Sequence, residues 1–398
     1  MGAALRVADV IRCCWHDYNR KYALPPQAVK AVRRILRCRT AALGGHLHRC
    51  GQCGSELPVY NSCQTRNCPS CQSAAREEWL DARLAEVLPV QYFHVVFTLP
   101  HLLNALIDAN RSMLLGEAFS TVNWVMQHFA QDPRWRLKGR IGFLAALHTW
   151  TQRLRLHFHI HCIVPGGVWR AETGQWVPCR GKWLFKKEAL ADAYRNRFIK
   201  RLTALRRRGR LVYTGRAASL ADDTAWNALL DALRNNRWVV FPKPTPPDPT
   251  QALEYIARYT YKTAISDHRI KALNNGKVTY SWRDRSANRN AAAAEDHSVE
   301  RLETIPAELF TRRFLAHIPP DGFHRIRYYG WMAAAQRKVV LAAIRRFLNV
   351  QAPPAAEKEP LAERILKRYG IDINLCPQCG KGQMQKTDRV LLPRSRSP

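Results

Sequence analysis

Three histidines alternate with apolar residues in His157-Phe158-His159-Ile160-His161. On a β-strand, side chains two apart share a face, so this spacing turns all three imidazoles one way and buries Phe158 and Ile160 behind them. Imidazoles held a few ångströms apart on rigid backbone are ligands for a divalent metal ion. Another β-rich run, Ile141 to Gln152, precedes the histidines across a short basic connection, which predicts a hairpin. If Arg153 and Leu156 flank a two-residue turn, His148 falls opposite His161 and Gln152 opposite His157. Either can supply a third ligand; His148 is preferred because an imidazole reaches the ion more stiffly than a carboxamide.

The segment Glu254-Tyr255-Ile256-Ala257-Arg258-Tyr259-Thr260-Tyr261-Lys262 places Tyr255 and Tyr259 one helical turn apart, with Arg258 and Lys262 close enough to hold phosphate. A phenol with a pKa near 10 is a weak nucleophile. It needs a metal ion to polarise the phosphate it attacks and a neighbour to take its proton. Alone, this tyrosine pair reads as core aromatics; the upstream histidine strand shifts it towards phosphodiester chemistry.

Cys50-Gly51-Gln52-Cys53 and Cys68-Pro69-Ser70-Cys71 are two CxxC knuckles with residues 54–67 between them. The spacing predicts one closed four-sulfur Zn2+ site that folds its segment and does no chemistry. Cys63, His46 and His48 lie nearby and could swap in as ligands, although a lone nearby Cys or His is more often a bystander. Cys376 and Cys379 form a lone third knuckle, equally readable as a metal half-site across the fold or as a remnant.

The elements that must position these groups are legible in outline. Val7 to Leu43 carries apolar residues at helical spacing among arginines, a basic amphipathic helix. Residues 50–71 are too polar to make a core unaided. A charged helix follows near Glu77 to Leu88, then a buried strand from Tyr92 ended by Pro100, then helix from Leu102 to Phe129. The run Pro242 to Pro249 is expected to break structure, with Thr250 capping a helix that carries the tyrosines. Past Arg301 the chain reads as helical and basic, most clearly from Gln336 to Phe347.

Sixty-three lysines and arginines oppose 31 acidic residues in 398, a formal charge of +32 that implies a polyanionic partner. Hydrophobic content of 46% excludes a merely disordered basic tail. No run reaches the roughly 20 apolar residues of a membrane span, and Met1 to Arg12 lacks a signal-peptide core, so the expected location is the bacterial cytoplasm, with its twelve cysteines reduced. There is no phosphate-binding GxxxxGK[ST] loop.

The histidine run followed by Cys162-Ile163-Val164-Pro165-Gly166-Gly167, the stretch YIARYTYKTAIS and the upstream YNSCQTRNCPSCQ resemble the insertion-sequence-ninety-one family of rolling-circle transposases over most of residues 10–330. The resemblance implies a nuclease of the histidine-hydrophobe-histidine class, with the antiparallel sheet of replication initiators and relaxases flanked by helices. His159 and His161 fall on its metal motif, Tyr255 and Tyr259 on its paired nucleophiles, and His157 becomes a flanking residue. It also implies nicking of single-stranded DNA at element ends through a 5′-phosphotyrosine, a 3′-hydroxyl released for copying, and dependence on host replication. Mg2+ or Mn2+ is expected at the histidines and Zn2+ at the cysteines. Asn67 departs from the histidine expected before the CPxC knuckle.

The expected architecture is thus α/β: a zinc-binding, DNA-gripping unit over residues 1–88, a nuclease over 89–300 and a basic helical region over 301–398. A plasmid replication initiator or relaxase shares this chemistry, but the cysteine module ahead of the nuclease favours a transposase. A noncatalytic zinc-containing regulator would not need intact His159, His161, Tyr255 and Tyr259. A three-carboxylate transposase needs acidic residues paired near a strand end, and none of the scarce acidic residues shows that spacing.

Overall fold

The computed structural model describes residues 5–179, 184–246, 248, 251, 263–284, 299–352 and 359–393, the side chains of 72–75 excepted. The N-terminal run holds three helices, α1 (Val7–Arg12), α2 (Trp15–Lys21) and α3 (Pro26–Arg37), rather than one. Pro25 and Pro26 end any continuous helix because proline lacks an N–H and clashes with the preceding turn; Pro26 instead starts α3. Strands β1 (Gly45–Cys50) and β2 (Glu56–Tyr60) and helix α4 (Gln72–Leu84) follow.

Next come β3 (Tyr92–Thr98), α5 (Asn104–Ala109), α6 (Arg111–Gln131), β4 (Phe143–Trp150) and β5 (Leu156–Pro165). A small ribbon of β6 (Gly167–Arg170) and β7 (Gln175–Pro178) precedes α7 (Lys187–Arg207), α8 (Asp223–Asn235) and β8 (Val240–Pro244). A second sheet is made of β9 (Ile270–Asn274), β10 (Lys277–Asp284) and β11 (Val299–Pro306). The chain closes with α9 (Ala307–Leu315), β12 (Ile326–Tyr329), α10 (Ala334–Phe347), α11 (Leu361–Tyr369) and β13 (Met384–Leu391).

The fold is mixed α/β around an antiparallel sheet ordered β12-β4-β5-β3-β8, so the histidine strand β5 is its centre. The alternation anticipated for this strand holds. Phe158, Ile160, Cys162 and Val164 are buried on the back face with Phe93, Val95, Phe97, Phe143 and Leu147. That face packs on Phe119, Val122 and Met126 of α6 and on Tyr194 and Phe198 of α7. Each fully buried phenylalanine there contributes about 2–3 kcal/mol of transfer free energy, enough to make the strand's facing, and hence the histidine face, unambiguous.

The proline run does not break structure at once. Pro242 and Pro244 lie inside β8, opposite Val95 and Phe93. The Thr245 N–H donates to the Tyr92 carbonyl, so the alternate positions 242 and 244 turn their missing donors to the open edge, where a strand tolerates proline.

Strand pairing crosses the expected boundaries at 88/89 and 300/301. Residues 326–329 complete the central sheet against β4, and β13 pairs with β1 in a sheet ordered β13-β1-β2. A further core joins Val7, Val10 and Ile11 of α1, Val32 and Ile35 of α3, Tyr280 of β10, and Phe310 and Phe314 of α9.

This second core is tied to the central hairpin by Glu303, which accepts from Arg153 at 2.8 Å, Arg313 at 3.1 Å and Tyr280 Oη at 2.9 Å. Burial raises the Glu303 pKa, but these three donors outweigh it and hold the carboxyl at about 2, below its ordinary 4.5. A group depressed on folding adds stability that is complete above its unfolded pKa and is lost as pH falls through the folded one. Glu303→Gln is therefore expected to lower unfolding free energy by about 1–2 kcal/mol at pH 7, Arg153 being partly solvated. The penalty should shrink as pH falls from 4.5 towards 2. Denaturant titrations at pH 7 and pH 3 check this; an equal penalty at both would refute the charged-latch account.

Candidate metal centre

His159 and His161 stand on the front face of β5, and β4 brings His148 beside them. Ring centroids are separated by 4.3 Å for His148 and His161, 4.8 Å for His159 and His161, and 5.3 Å for His148 and His159. One ring nitrogen from each lies within 4.8 Å of the others, a spacing that one ion can bridge.

The register that produces this differs from the expected one. His148 pairs with His159 and Ala146 with His161, because the hairpin loop is longer than two residues. Trp150 pairs with Leu156, Thr151 N–H donates to Arg155 O at 2.9 Å, and Leu154 takes a left-handed φ of 56°. Gln152 is consequently in the loop and not across from His157. An irregularity between His148 and Trp150 offsets the strand further.

The surroundings select which nitrogens face the metal position. His159 Nδ1 lies 3.0 Å from the His157 carbonyl, so the proton sits on Nδ1 and Nε2 is left as a donor atom. His161 Nδ1 contacts Nε2 of His94, on β3, at 2.7 Å. Burial, then the charge of Lys243, lowers the His94 pKa to about 4; burial, then His157, does the same for His159. Both rings are neutral at pH 7, the form His159 would need as a ligand. Imidazole ligands carry no charge of their own and would leave that of a bound divalent cation uncompensated, which would suit it to polarising a phosphate oxygen. His157 Nδ1 instead meets His101 Nε2 at 2.8 Å and is not among the three clustered histidines.

His94 and His101 were not apparent in the sequence, although a histidine inside the buried run Tyr92–Thr98 was a usable signal. His94 supports His161 without reaching the metal position, so it is a positioning residue. His94→Ala is expected to weaken Mn2+ affinity about 10–100-fold. Calorimetric titration checks this, and saturating Mn2+ should restore most of the rate. A rate that stayed low in excess metal would argue for a different role.

The cysteines do not form one site from Cys50, Cys53, Cys68 and Cys71. The two knuckles belong to separate quartets, Cys38-Cys63-Cys68-Cys71 and Cys50-Cys53-Cys376-Cys379. Cys38 follows α3, whose packing against α1 delivers its thiol to Cys71 at an S···S distance of 3.3 Å; Cys63 approaches Cys71 at 3.6 Å. Cys63 is thus a ligand candidate and not a bystander, while His46 and His48, on β1, join neither quartet. Cys38 carried no local motif, since its partner is brought by packing. Cys71 also begins α4, whose Trp79 and Leu80 pack on Leu144, Ala146 and Ile163 of the front face. The first quartet therefore abuts the histidine sheet.

Beyond His157, a cleft of about 1300 Å3 opens at the hairpin end of β5. Arg153, Arg155, Arg216, Arg283, Arg312 and Arg313 line it. The Arg153 guanidinium lies 5.1 Å from the Trp282 ring centroid within it. Tyr255, Tyr259, Arg258 and Lys262 lie outside the described residues, as does the helix expected to carry them.

Both the amino-terminal cysteine-rich unit and the strands β4 and β5 fall within residues that match known families. Residues 10–99 match the transposase zinc-binding domain model of the insertion-sequence-ninety-one group, and residues 142–339 match a family described as "Putative transposase". The relative named "Putative transposase y4qJ", from Sinorhizobium fredii, is 38% identical over 383 residues, covering 95% of this chain and 94% of its own. The chain belongs to the insertion-sequence-ninety-one family of transposases. The "Transposase for insertion sequence element IS801" of Pseudomonas savastanoi is 27% identical over 92% of this chain and 85% of its own. No solved structure matches this transposase. Among the described residues, no helix is long and apolar enough to cross a membrane.

Proposed function

We propose that this transposase nicks and rejoins single-stranded DNA at the ends of its element through 5′-phosphotyrosine intermediates formed by Tyr255 and Tyr259. The observation that carries the reading is the convergence of His148, His159 and His161 on one face of the central strand, with the nitrogens of His159 and His161 aligned by their neighbours. These three residues would hold Mg2+ or Mn2+, which supplies Lewis-acid polarisation of the scissile phosphate when bound.

The described residues that flank the tyrosine segment support the assignment. Thr245 is anchored to Tyr92, across from Pro165 at one end of β5, while Ala264 and Ile265 pack with Trp150 and Leu154 at the other. The two anchors thus sit at opposite ends of the histidine strand. Arg258 and Lys262 would steady phosphates beside the phenols. Strand transfer by tyrosine exchange conserves the phosphodiester energy in the protein–DNA bond, so no nucleotide hydrolysis is required.

The arginine-lined cleft continues the histidine face and fits a single strand, with Trp282 offering a ring on which a base can stack. Residues 1–88, with Zn2+ in the Cys38-Cys63-Cys68-Cys71 quartet, would grip element-end DNA, and host replication would copy from the released 3′-hydroxyl.

The test is incubation of the protein and Mn2+ with end-labelled single-stranded element termini. A covalent adduct joined to the 5′-phosphate made by the cut, and so retaining a 3′ label while a 5′ label leaves on the 3′-hydroxyl fragment, is expected; cleavage without an adduct would remove tyrosine chemistry. Binding measured without metal should fall about 300-fold or more between 50 and 200 mM salt if six or more phosphates of the single strand are neutralised. A flat response would exclude phosphate contacts as the main source of affinity.

A further inference from the structure

The third CxxC knuckle is absorbed neither by the zinc-binding match to residues 10–99 nor by the nuclease. We propose that Cys50, Cys53, Cys376 and Cys379 bind a second, structural Zn2+ that clasps the carboxy-terminal strand to the amino-terminal unit. The reading is independent of the metal at the histidines.

The two knuckles are built alike. Cys50-Gly51-Gln52-Cys53-Gly54 and Cys376-Pro377-Gln378-Cys379-Gly380 each end on a glycine in the left-handed region, at φ of 69° and 65°. The Gly54 N–H donates to Cys50 O at 3.1 Å and the Gly380 N–H to Cys376 O at 2.9 Å. Backbone N–H groups also point at sulfur: Gln52 and Cys53 towards Cys50 Sγ at 3.4 and 3.5 Å, and Gly382 towards Cys379 Sγ at 3.3 Å. Such donors favour thiolates, the form that binds zinc.

The cross-knuckle distances fit a tetrahedron. Cys50 Sγ to Cys379 Sγ and Cys53 Sγ to Cys376 Sγ are each 3.8 Å. Four sulfurs about 2.3 Å from a central zinc stand about 3.8 Å apart. None of the four is in a disulfide. A Cβ on Gly382 would come within 2.4 Å of Cys50 Sγ, so the close approach of the two loops requires glycine there. With four protein sulfurs the ion would have no open position, which makes the site structural.

The clasp acts where the ladder between β1 and β13 begins, at the pair Cys50 and Met384, and Gly51 N–H reaches Gln383 O at 3.1 Å. It would hold Lys386 and Arg389 of β13 on the same small sheet as Arg49. The two quartets differ in access: Cys53 is exposed, whereas Cys38, Cys68 and Cys71 are buried in the second core. A chelator should therefore draw the clasp ion first.

The experiment uses the full-length protein reconstituted with Co2+, whose sulfur-to-metal charge-transfer absorption in the near ultraviolet reports thiolate ligation and ignores the histidines. Two sulfur-bound equivalents are expected for the parent chain, one for Cys376→Ser/Cys379→Ser, and one for Cys50→Ser/Cys53→Ser. The zinc-loaded parent treated with a mild chelator should lose one equivalent quickly, and its carboxy-terminal segment should become protease-sensitive together with that loss. A parent chain that takes up only one sulfur-bound equivalent, or a Cys376→Ser/Cys379→Ser variant that retains two, overturns the proposal. The parent stoichiometry decides the matter even if a variant fails to fold.

Discussion

His161→Ala is expected to slow strand cleavage by about 10^3-fold or more while leaving affinity for single-stranded DNA within about threefold of the parent. The loss corresponds to about 4 kcal/mol of transition-state stabilisation, the scale on which an ion held against a phosphate oxygen acts. Affinity survives because it comes from lysines and arginines spread over the surface, among them arginines of the cleft beyond His157. His159→Ala should behave in the same way. His157→Ala should be mild, because that ring is engaged with His101. Gel-based cleavage kinetics with Mn2+, beside binding measured without metal, separate the two effects. A His161→Ala variant that cuts at the parent rate, or a His157→Ala variant as damaged as it, would dismantle the assigned ligand set.

The second large effect concerns the nucleophiles. Tyr255→Phe/Tyr259→Phe should form no covalent protein–DNA adduct, since each change keeps the ring and its packing but removes the attacking oxygen. If both phenols act, each single variant should still nick once and fail at complete strand transfer. Adducts are resolved by denaturing electrophoresis of labelled strands. An adduct surviving in the double variant would move the nucleophile to Tyr261 or elsewhere. DNA affinity and thermal stability should change little, which distinguishes lost chemistry from lost folding.

The chemistry was most legible where it depended on local period. Alternation in His157–His161, with apolar residues between, dictated a strand with one histidine-bearing side, because neighbouring side chains on a strand cannot share a face. The apolar runs at Tyr92 and Ile141 marked its partners, and the charge of +32 pointed to a polyanion. The family could be named from motifs whose residues are contiguous.

Pairing over distance was another matter. The hairpin register depended on a longer loop and a strand irregularity, features set by how Leu154 and Trp150 pack into the second core rather than by turn residues. Two CxxC knuckles close in sequence suggested a shared ion, yet packing of α3 on α1 and pairing of β13 with β1 give each knuckle a different partner. Thiols carry no label for their mates: four of them make a site wherever the backbone brings the sulfurs within a few ångströms. That proximity comes from hydrophobic burial and strand pairing between residues as far apart as 50 and 379. The residue types and local spacing therefore determined what chemistry this transposase has available, and only tertiary packing decided which histidine nitrogens and which cysteines meet.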